Sequence, residues 1–274
     1  MFDPRDKVAV VTGGAGGIGF AIASALAHAG ADIALLDLHR EEVEDAARAL
    51  ADETGRRVFA YKADVADRAR MMALAHAIAD DFGPFHILVN NAGVAIGGPV
   101  WDMTGTDWDW TLGVNLGGVV NGLLAFLPAI RAHDEGGHVV NVASIAGLIA
   151  TPGLSVYTAS KFAVVGLSES MRADLEGSGI GVSVLCPGFV RTRIHEAGRN
   201  RPAGPGEQPR APVADEQSQV GEIARGVLSG IEPVEIAGQV IAAIREGRFY
   251  IFTHPELAEY VAERHDAIMG AMKT

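Results

Sequence analysis

A short β-branched run that ends in a glycine-rich turn and continues as a helical pattern constrains the fold of this chain most. The run Lys7–Thr12 predicts a buried parallel strand, because it is apolar without alternation. Thr12–Gly19 (TGGAGGIG) follows, and Phe20–His28 then has helical periodicity. Strand, glycine turn and helix in this order are typical of a dinucleotide-binding unit, in which a pyrophosphate meets a helix N-terminus. The sequence therefore predicts a nucleotide-binding α/β fold.

Two registers of a glycine motif fit this turn, G-x-G-x-x-G from Gly14 and G-x-x-x-G-x-G from Gly13. We favour the second because it puts Gly13 at the turn and Gly17 and Gly19 in the first turn of the helix. The predicted dinucleotide contacts here are Gly13, Gly17, Ile18 and Gly19. A glycine turn without a ligand is the alternative, and the strand-turn-helix context argues against it.

The second predicted strand, Asp32–Asp37, ends in an acid at the distance expected of a ribose-binding carboxylate. Asp37 would accept hydrogen bonds from the ribose hydroxyls of NAD and repel the 2′-phosphate of NADP. It could also cap the predicted helix Arg40–Leu50, because aspartate is a favoured N-cap residue. His39 and Arg40 keep NADP open as a cofactor. NAD is favoured and NADP is the less favoured alternative.

Composition and charge argue against several other classes of protein. The chain has 274 residues, 49% hydrophobic and 20% charged, which suits one large α/β domain. Its net charge is −12 and its basic residues do not cluster, so neither nucleic acid nor a membrane is an expected partner. The single cysteine, Cys186, is expected to be a buried thiol in a reducing compartment. We expect neither a signal peptide nor an apolar run of spanning length, which predicts a cytoplasmic protein.

Polar and small residues follow the next predicted strands, Val58–Tyr61 and His86–Val89, which flank a helix from about Asp67 to Phe82. The carboxyl ends of parallel strands line the ligand crevice of such sheets. We therefore expect Asp64 at the adenine edge and Ala92 and Gly93 beside the ribose. The predicted cofactor contacts in this part of the chain are Asp64, Val65, Asn91, Ala92 and Gly93. Asn90 is expected to tie neighbouring strands together, although each residue alone fits ordinary turn chemistry.

A long helical pattern, Thr106–Ala132, carries Asn115 within Val-Asn-Leu-Gly-Gly. Asparagine and paired glycines weaken a helix interior and favour a kink. We interpret Asn115 as a residue that holds a water beneath a lysine. The alternative is a purely structural role, in which these residues only allow close packing against a neighbouring helix.

The helix after the predicted strand Gly137–Val142 carries Tyr157 and Lys161 at helical spacing. Both lie on one helix face, so the ammonium would favour the phenolate and lower a pKa that is ordinarily about 10. Ser144, at the end of the strand, could hydrogen-bond a substrate oxygen beside the phenol. A Ser-His-Asp hydrolase is disfavoured because Gly-x-Ser-x-Gly is absent around Ser144. No metal site is expected, because the nine histidines do not cluster at ligand spacing.

Together and in this order, these motifs resemble the short-chain dehydrogenase/reductase family from Lys7 to about Thr192. The resemblance implies transfer of a hydride between a nicotinamide cofactor and an alcohol or ketone. It implies a catalytic tetrad of Asn115, Ser144, Tyr157 and Lys161. Tyr157 would be the general acid/base and Ser144 would hold the substrate oxygen. Lys161 would bind the nicotinamide ribose and lower the pKa of the tyrosine, and Asn115 would anchor a water in a proton relay. Further implied cofactor contacts are Tyr157, Lys161, Pro187, Gly188, Val190 and Thr192.

The last third of the chain, after a predicted strand Gly181–Cys186, is where substrate choice is expected to lie. Ile194 to about Ile231 is rich in Gly, Pro, Arg and Gln, which predicts a substrate loop that acts as a lid over an apolar alcohol, or else a solvated loop. His195 is expected to face water. The elements predicted after this loop are helix Pro233–Glu246, strand Phe249–Phe252 and helix Glu256–Met272. Asp107–Asn115 and Phe249–Glu256 further resemble dehydrogenases of bulky aromatic secondary alcohols, among them the Cα-dehydrogenases of lignin-type β-aryl ethers.

We expect one doubly wound Rossmann domain over residues 1–274, with a seven-stranded parallel sheet ordered 3-2-1-4-5-6-7 and helices on both faces. A small-residue face of the Tyr157 helix (Ala159, Ala163, Gly166) would suit a homo-oligomer, a dimer or a homotetramer, or else packing within one subunit. The predicted function is an NAD-dependent oxidoreductase of a small-molecule alcohol or ketone, bulky and apolar or aromatic. A non-catalytic dinucleotide-binding sensor or scaffold is the alternative.

Overall fold

In the computed structural model, which describes residues 2–204 and 219–273, seven strands form one parallel sheet. The strands are β1 (Val8–Thr12), β2 (Asp32–Asp37), β3 (Val58–Lys62), β4 (Ile87–Asn90), β5 (Gly137–Val142), β6 (Ile180–Cys186) and β7 (Tyr250–Phe252). Their order is β3-β2-β1-β4-β5-β6-β7, so the predicted doubly wound topology is confirmed. Every residue of the central strands β1, β4 and β5 is buried, which explains their apolar runs without alternation.

Helices cover both faces of the sheet. Within the described residues they are α1 (Gly17–His28), α2 (Arg40–Thr54), α3 (Arg68–Phe82), α4 (Gly105–Leu112), α5 (Gly118–Ala132), α6 (Ser155–Asp174), α7 (Gln219–Leu228), α8 (Pro233–Glu246) and α9 (Ala258–Ala271). Apolar residues of α1, α2 and α8 form one buried cluster, and those of α3, α5 and α6 form another. With strands parallel and helices on both faces, all carboxyl ends of the strands lie at one edge of the sheet.

Helix ends explain where the boundaries differ from expectation. The helix α2 continues past the predicted Leu50 to Thr54, where Gly55 adopts a left-handed conformation (φ +68°) and ends it. Asp67, predicted as the first residue of the next helix, is instead its N-cap and accepts a hydrogen bond from the Arg70 amide at 2.9 Å.

The predicted single helix Thr106–Ala132 is divided into three parts. A π-helical turn, Gly113–Gly117, separates α4 from α5, so the regular α-helix is interrupted at Asn115, where the sequence predicts a kink. By length (28 residues) and apolar composition alone, the helical stretch Gly105–Ala132 could cross a membrane, and the expectation that no apolar run reaches spanning length is wrong. Val119, Phe126 and Ile130 are nevertheless buried in the core against the sheet, which accounts for the apolar character of α5.

The chain after β6 forms a 3₁₀ turn, Ile194–Asn200, and later the helix α7. The middle of the predicted lid, residues 205–218 with Val213, lies outside the described residues. The predicted closing helix is a 3₁₀ turn, Pro255–Leu257, followed by α9, and α9 contains no buried residue.

Candidate active site

A crevice of about 1640 Å³ follows the carboxyl edge of the sheet. Residues from the glycine turn, from the ends of β2 to β6 and from α6 and α7 line it. Of the residues predicted as cofactor or catalytic contacts, the crevice wall contains Gly13, Gly17, Ile18, Asp37, Asp64, Val65, Asn91, Ala92, Gly93, Ser144, Tyr157, Lys161, Pro187, Gly188, Val190 and Thr192. Gly19 and Asn115 lie behind this wall and act on it through their neighbours.

The backbone of the glycine turn follows the second predicted register. Gly13 and Gly17 have positive φ angles, +63° and +54°, which side chains other than glycine adopt only with strain. Gly19 lies in the first turn of α1, where an added Cβ would be 2.2 Å from the Gly13 carbonyl oxygen. The first helical turn therefore packs directly under the glycine turn.

The Asn91 side chain holds this turn in place. Its amide donates to the carbonyl oxygens of Thr12 and Gly13 at 3.0 and 3.1 Å. The Thr12 hydroxyl in turn accepts from the Asn91 and Ala92 amides at 2.9 and 3.1 Å. Asn91 thus fixes the shape of the crevice at the glycine turn rather than extending freely into it.

Asp37 faces the glycine turn and not the helix that follows it. One carboxylate oxygen accepts from the Ala15 amide at 3.1 Å and the other from the His39 amide at 3.4 Å. The N-cap of α2 is His39, without a side-chain cap, so the capping alternative for Asp37 is wrong. Arg40 pairs with Glu44 along α2 at 3.1 Å, whereas His39 lines the crevice.

The turn after β3 contains a contact that the sequence did not reveal. Asn121, buried in α5, donates to the Val65 carbonyl at 2.8 Å and accepts from Arg68 at 3.0 Å. This fixes the turn after β3, where the Asp64 carboxylate accepts from the Ala66 amide at 2.9 Å. Asn90 behaves as predicted and donates to Asn141 of the neighbouring strand at 2.9 Å.

Asn115 sits in the π turn with its side chain fully engaged. It donates to the Val94 carbonyl and the Ser160 hydroxyl, both at 2.9 Å, and accepts from the Val94 amide at 2.8 Å. Ser160 donates to the Tyr157 carbonyl at 2.6 Å. The Asn115 side chain therefore joins the turn after β4 to the helix that carries Tyr157, and the water that we expect it to hold stays a prediction.

Ser144, Tyr157 and Lys161 converge at one point of the crevice. Ser144 follows β5, accepts from the Ala146 amide at 3.1 Å and donates to the Pro187 carbonyl at 3.4 Å, and its hydroxyl lies close enough to the Tyr157 phenol to lower the pKa of Tyr157. The Lys161 ammonium donates to the Val142 carbonyl at 2.9 Å and lies 5.6 Å from the centroid of the Tyr157 ring. Hydroxyl, phenol and ammonium thus form one cluster on the crevice wall.

Burial controls the acidities in this cluster. Loss of hydration raises the pKa of Tyr157, and the hydrogen bond with Ser144 lowers it. Burial lowers the pKa of Lys161 from 10.5 to about 8. We expected the ammonium to lower the pKa of the tyrosine, and in the protein alone the desolvation of the phenol dominates instead. Cys186, next to this cluster, is a buried thiol as expected, and burial raises its pKa to about 12.

The segment after β6 is fixed from two sides. The Pro187 carbonyl accepts from the Ile145 amide at 2.8 Å, and the Gly188 amide donates to His254 Nδ1 at 3.1 Å. Val190 is buried and pairs with Ile231 across the base of the predicted lid. His195, expected to face water, is half-buried on the crevice wall, and its Nδ1 lies 3.1 Å from the Thr192 carbonyl.

Two histidines and a glutamate do cluster, contrary to the sequence expectation. In the described part of the chain, ligand atoms of His86, His133 and Glu135 lie within 4.8 Å of one another at the opposite edge of the sheet. Each ring nitrogen already has a hydrogen-bond partner, and Lys7 pairs with Glu135 at 2.8 Å. An ammonium at this position opposes a second cation, so the cluster does not fit a metal ion.

A doubly wound sheet with a glycine turn and a polar cluster at its carboxyl edge defines a nucleotide-binding protein of the Rossmann class. A family model described as short chain dehydrogenase matches residues 7–202. The chain belongs to the short-chain dehydrogenase/reductase family, whose members are oxidoreductases that use nicotinamide dinucleotides.

Relatives match nearly the whole chain. A CLA biosynthesis dehydrogenase/reductase of Lactiplantibacillus plantarum is 34% identical over 96% of this chain and 93% of its own. A C alpha-dehydrogenase of Sphingobium sp. strain SYK-6 is 34% identical over 99% of this chain and 88% of its own. The crystal structure of a short chain dehydrogenase/reductase from Burkholderia phymatum in complex with NAD has a TM-score of 0.91 and 39% identity, and the match covers 98% of this chain and 96% of that chain. The predicted resemblance, including that to Cα-dehydrogenases, is confirmed.

Proposed function

We propose that this protein is an NAD-dependent oxidoreductase that interconverts a secondary alcohol and a ketone, with Tyr157 as general acid/base. The observation that carries the proposal is the cluster on the crevice wall in which the Ser144 hydroxyl lies beside the Tyr157 phenol and the Lys161 ammonium lies 5.6 Å from the ring centroid. A protein that only binds a dinucleotide has no need of a phenol held between a hydroxyl and an ammonium.

The residues along the crevice fit a dinucleotide. Glycines, which have no side chain, occupy the positions where a pyrophosphate would approach: Gly13, Gly16 and Gly17. The helix α1 begins at the same place. Gly93 leaves room beside Lys161, because an added Cβ would lie 3.5 Å from its Nζ. When bound, the nicotinamide supplies or accepts the hydride. The ribose next to the nicotinamide would be held by the Lys161 ammonium and by the segment Asn91, Ala92 and Gly93. The carboxamide of the nicotinamide would be held by Val190 and Thr192.

In this proposal the protein residues handle the substrate oxygen and its proton. Ser144 hydrogen-bonds the oxygen, which places it beside the Tyr157 hydroxyl. The phenolate accepts the alcohol proton during oxidation, and the phenol returns it during reduction. Asn115 bonds the backbone after β4 and the Ser160 hydroxyl, and Ser160 bonds the Tyr157 carbonyl in α6. The role of Asn115 in this proposal is therefore to position the acid/base Tyr157.

The substrate side of the crevice is mainly apolar. Trp110, Leu154, Phe189, Ile194, Val227 and Leu228 contribute to its wall. Burial of apolar surface at about 25 cal/mol per Å² would favour a bulky apolar or aromatic alcohol. A relative of this chain is named a C alpha-dehydrogenase, which agrees with the resemblance found in the sequence. We further propose that residues 194–231 form a lid whose helix α7 covers this apolar wall. We also propose that residues 1–274 form one domain and that the protein is a cytoplasmic homotetramer.

The reaction is tested by following reduced-nicotinamide absorbance with a panel of secondary alcohols, from aliphatic to aryl. We expect NAD-dependent turnover that is highest for the bulky aryl members. Dinucleotide binding measured by calorimetry without turnover on any alcohol or ketone would favour the sensor or scaffold alternative instead.

Cofactor choice is tested at Asp37. The carboxylate, held by the Ala15 amide, would accept the ribose hydroxyls of NAD and repel a 2′-phosphate. We expect wild-type kcat/KM to be higher with NAD, and Asp37→Ser to narrow the gap by about tenfold or more, since removing a like charge raises NADP efficiency. A wild-type preference for NADP would mean that the nearby side chains of His39, Arg193 or Arg199 bind the phosphate.

A further inference from the structure

The segment Arg193–Arg201, which we call the strap, lines the crevice and is attached near the start of α2 on one side and at the start of α4 on the other. On the nucleotide side the Arg193 guanidinium pairs with the Glu42 carboxylate of α2. Close to it, His39 Nε2 donates to Asn200 Oδ1 at 3.2 Å. All four residues line the crevice, next to the Asp37 position at the end of β2.

The substrate side of the strap is attached through a buried ion pair. Arg201 Nε donates to Asp107 Oδ1 at 2.6 Å, and its Nη2 donates to the Thr104 hydroxyl at 3.0 Å. Asp107 also accepts from the Thr104 amide at 2.8 Å and so caps α4, the helix that carries Trp110 of the substrate wall. The two side chains of this pair are 4% and 0% exposed.

The two attachments differ in how readily they open. The Arg193 and Glu42 side chains are 57% and 42% exposed, so water replaces their contact at little cost. Separation of Arg201 from Asp107 would uncover surface packed around both groups and disturb the cap of α4. The exposed contacts on the nucleotide side are therefore expected to open more readily than the buried Arg201–Asp107 pair.

We propose that the Arg193–Glu42 and His39–Asn200 contacts form a latch that controls entry and release of the dinucleotide, while Arg201–Asp107 stays closed as the anchor of the strap. The proposal rests on the proposed function, in which a dinucleotide occupies the crevice beneath the strap. A latch has a kinetic signature that a direct ligand contact lacks. It slows association and dissociation together, because both pass through the open state.

Stopped-flow fluorescence of NADH tests the latch with Glu42→Gln and Asn200→Ala. We expect association and dissociation rate constants both to rise, by about two- to fivefold in each variant, because an exposed contact is weak. The equilibrium Kd is expected to stay within about twofold. Glu44→Gln is the matched control, since Glu44 lies on the same helix, pairs with Arg40 and is 41% exposed, but lies outside the crevice wall.

The outcomes separate the possibilities. Faster dissociation with unchanged association would make Glu42 or Asn200 a direct ligand contact and overturn the latch. Unchanged rates in both variants, or equal acceleration in Glu44→Gln, would overturn it as well. Failure of the wild type to bind NADH would remove the proposed function and the latch together, whereas normal NADH binding with unaltered kinetics removes the latch alone.

Discussion

Tyr157→Phe is expected to lose turnover by about 10²–10⁴-fold while it still binds the dinucleotide, because the substitution removes the proton donor and keeps the ring. The ring also faces the Lys161 ammonium, and phenylalanine retains that contact. The loss would therefore be in kcat with a nearly unchanged Kd for NADH. Steady-state assays and fluorescence titration on the same preparation measure both quantities.

The proton role has a second test in the pH profile. The hydrogen bond with Ser144 lowers the pKa of Tyr157, so Ser144→Ala is expected to raise it further. Alcohol oxidation needs the phenolate, so its rate rises as Tyr157 loses its proton. In Ser144→Ala this rise in the pH–rate profile is expected to move to higher pH. Tyr250→Phe is the control, because Tyr250 bonds Glu169 at 2.5 Å away from the crevice wall. A Tyr157→Phe variant with near-normal kcat would exclude the phenol as the acid/base.

The sheet and its ligand edge could be predicted from the sequence because both follow from local patterns. Buried parallel strands read as unbroken apolar runs, and right-handed crossovers then fix which strand ends meet. The glycine turn was predictable to the residue, since only glycine accepts the φ of +63° at Gly13 without strain. The interruption of the α-helix at Asn115 was predictable for a related reason, because asparagine and glycine weaken a helix locally.

Contacts between distant parts of the chain could not be predicted in this way. Asn200 lies 161 residues from His39, and Arg201 lies 94 residues from Asp107. No local periodicity reports such pairs. The pKa of Tyr157 was expected in the wrong direction for a similar reason. Spacing on a helix places an ammonium beside a phenol, but the loss of hydration depends on everything packed around both groups.

Lys161→Met is expected to lower kcat by about 10²-fold or more. The same substitution is expected to stabilise the fold at neutral pH. Burial lowers the pKa of Lys161 from 10.5 to about 8, which corresponds to about 3 kcal/mol of destabilisation when the lysine is charged. Methionine removes that cost, but it leaves the Val142 carbonyl without the donor at 2.9 Å, a loss of about 1–3 kcal/mol. We therefore expect a net gain of about 1 kcal/mol at pH 7.

The sign of the pH dependence distinguishes this account from a simple change in packing. Between pH 8 and 10.5 the unfolded lysine binds more protons than the folded one, so the wild-type free energy of unfolding attributable to Lys161 rises with pH across that window. The advantage of Lys161→Met is thus largest below pH 8 and shrinks, then reverses, as the pH approaches 10. Urea unfolding of both proteins at pH 7 and pH 9.5 measures the difference, with the exposed Lys62→Met as control. A difference that is independent of pH would show that the lysine is not held at a depressed pKa, and the ammonium would then be a permanent charge beside Tyr157.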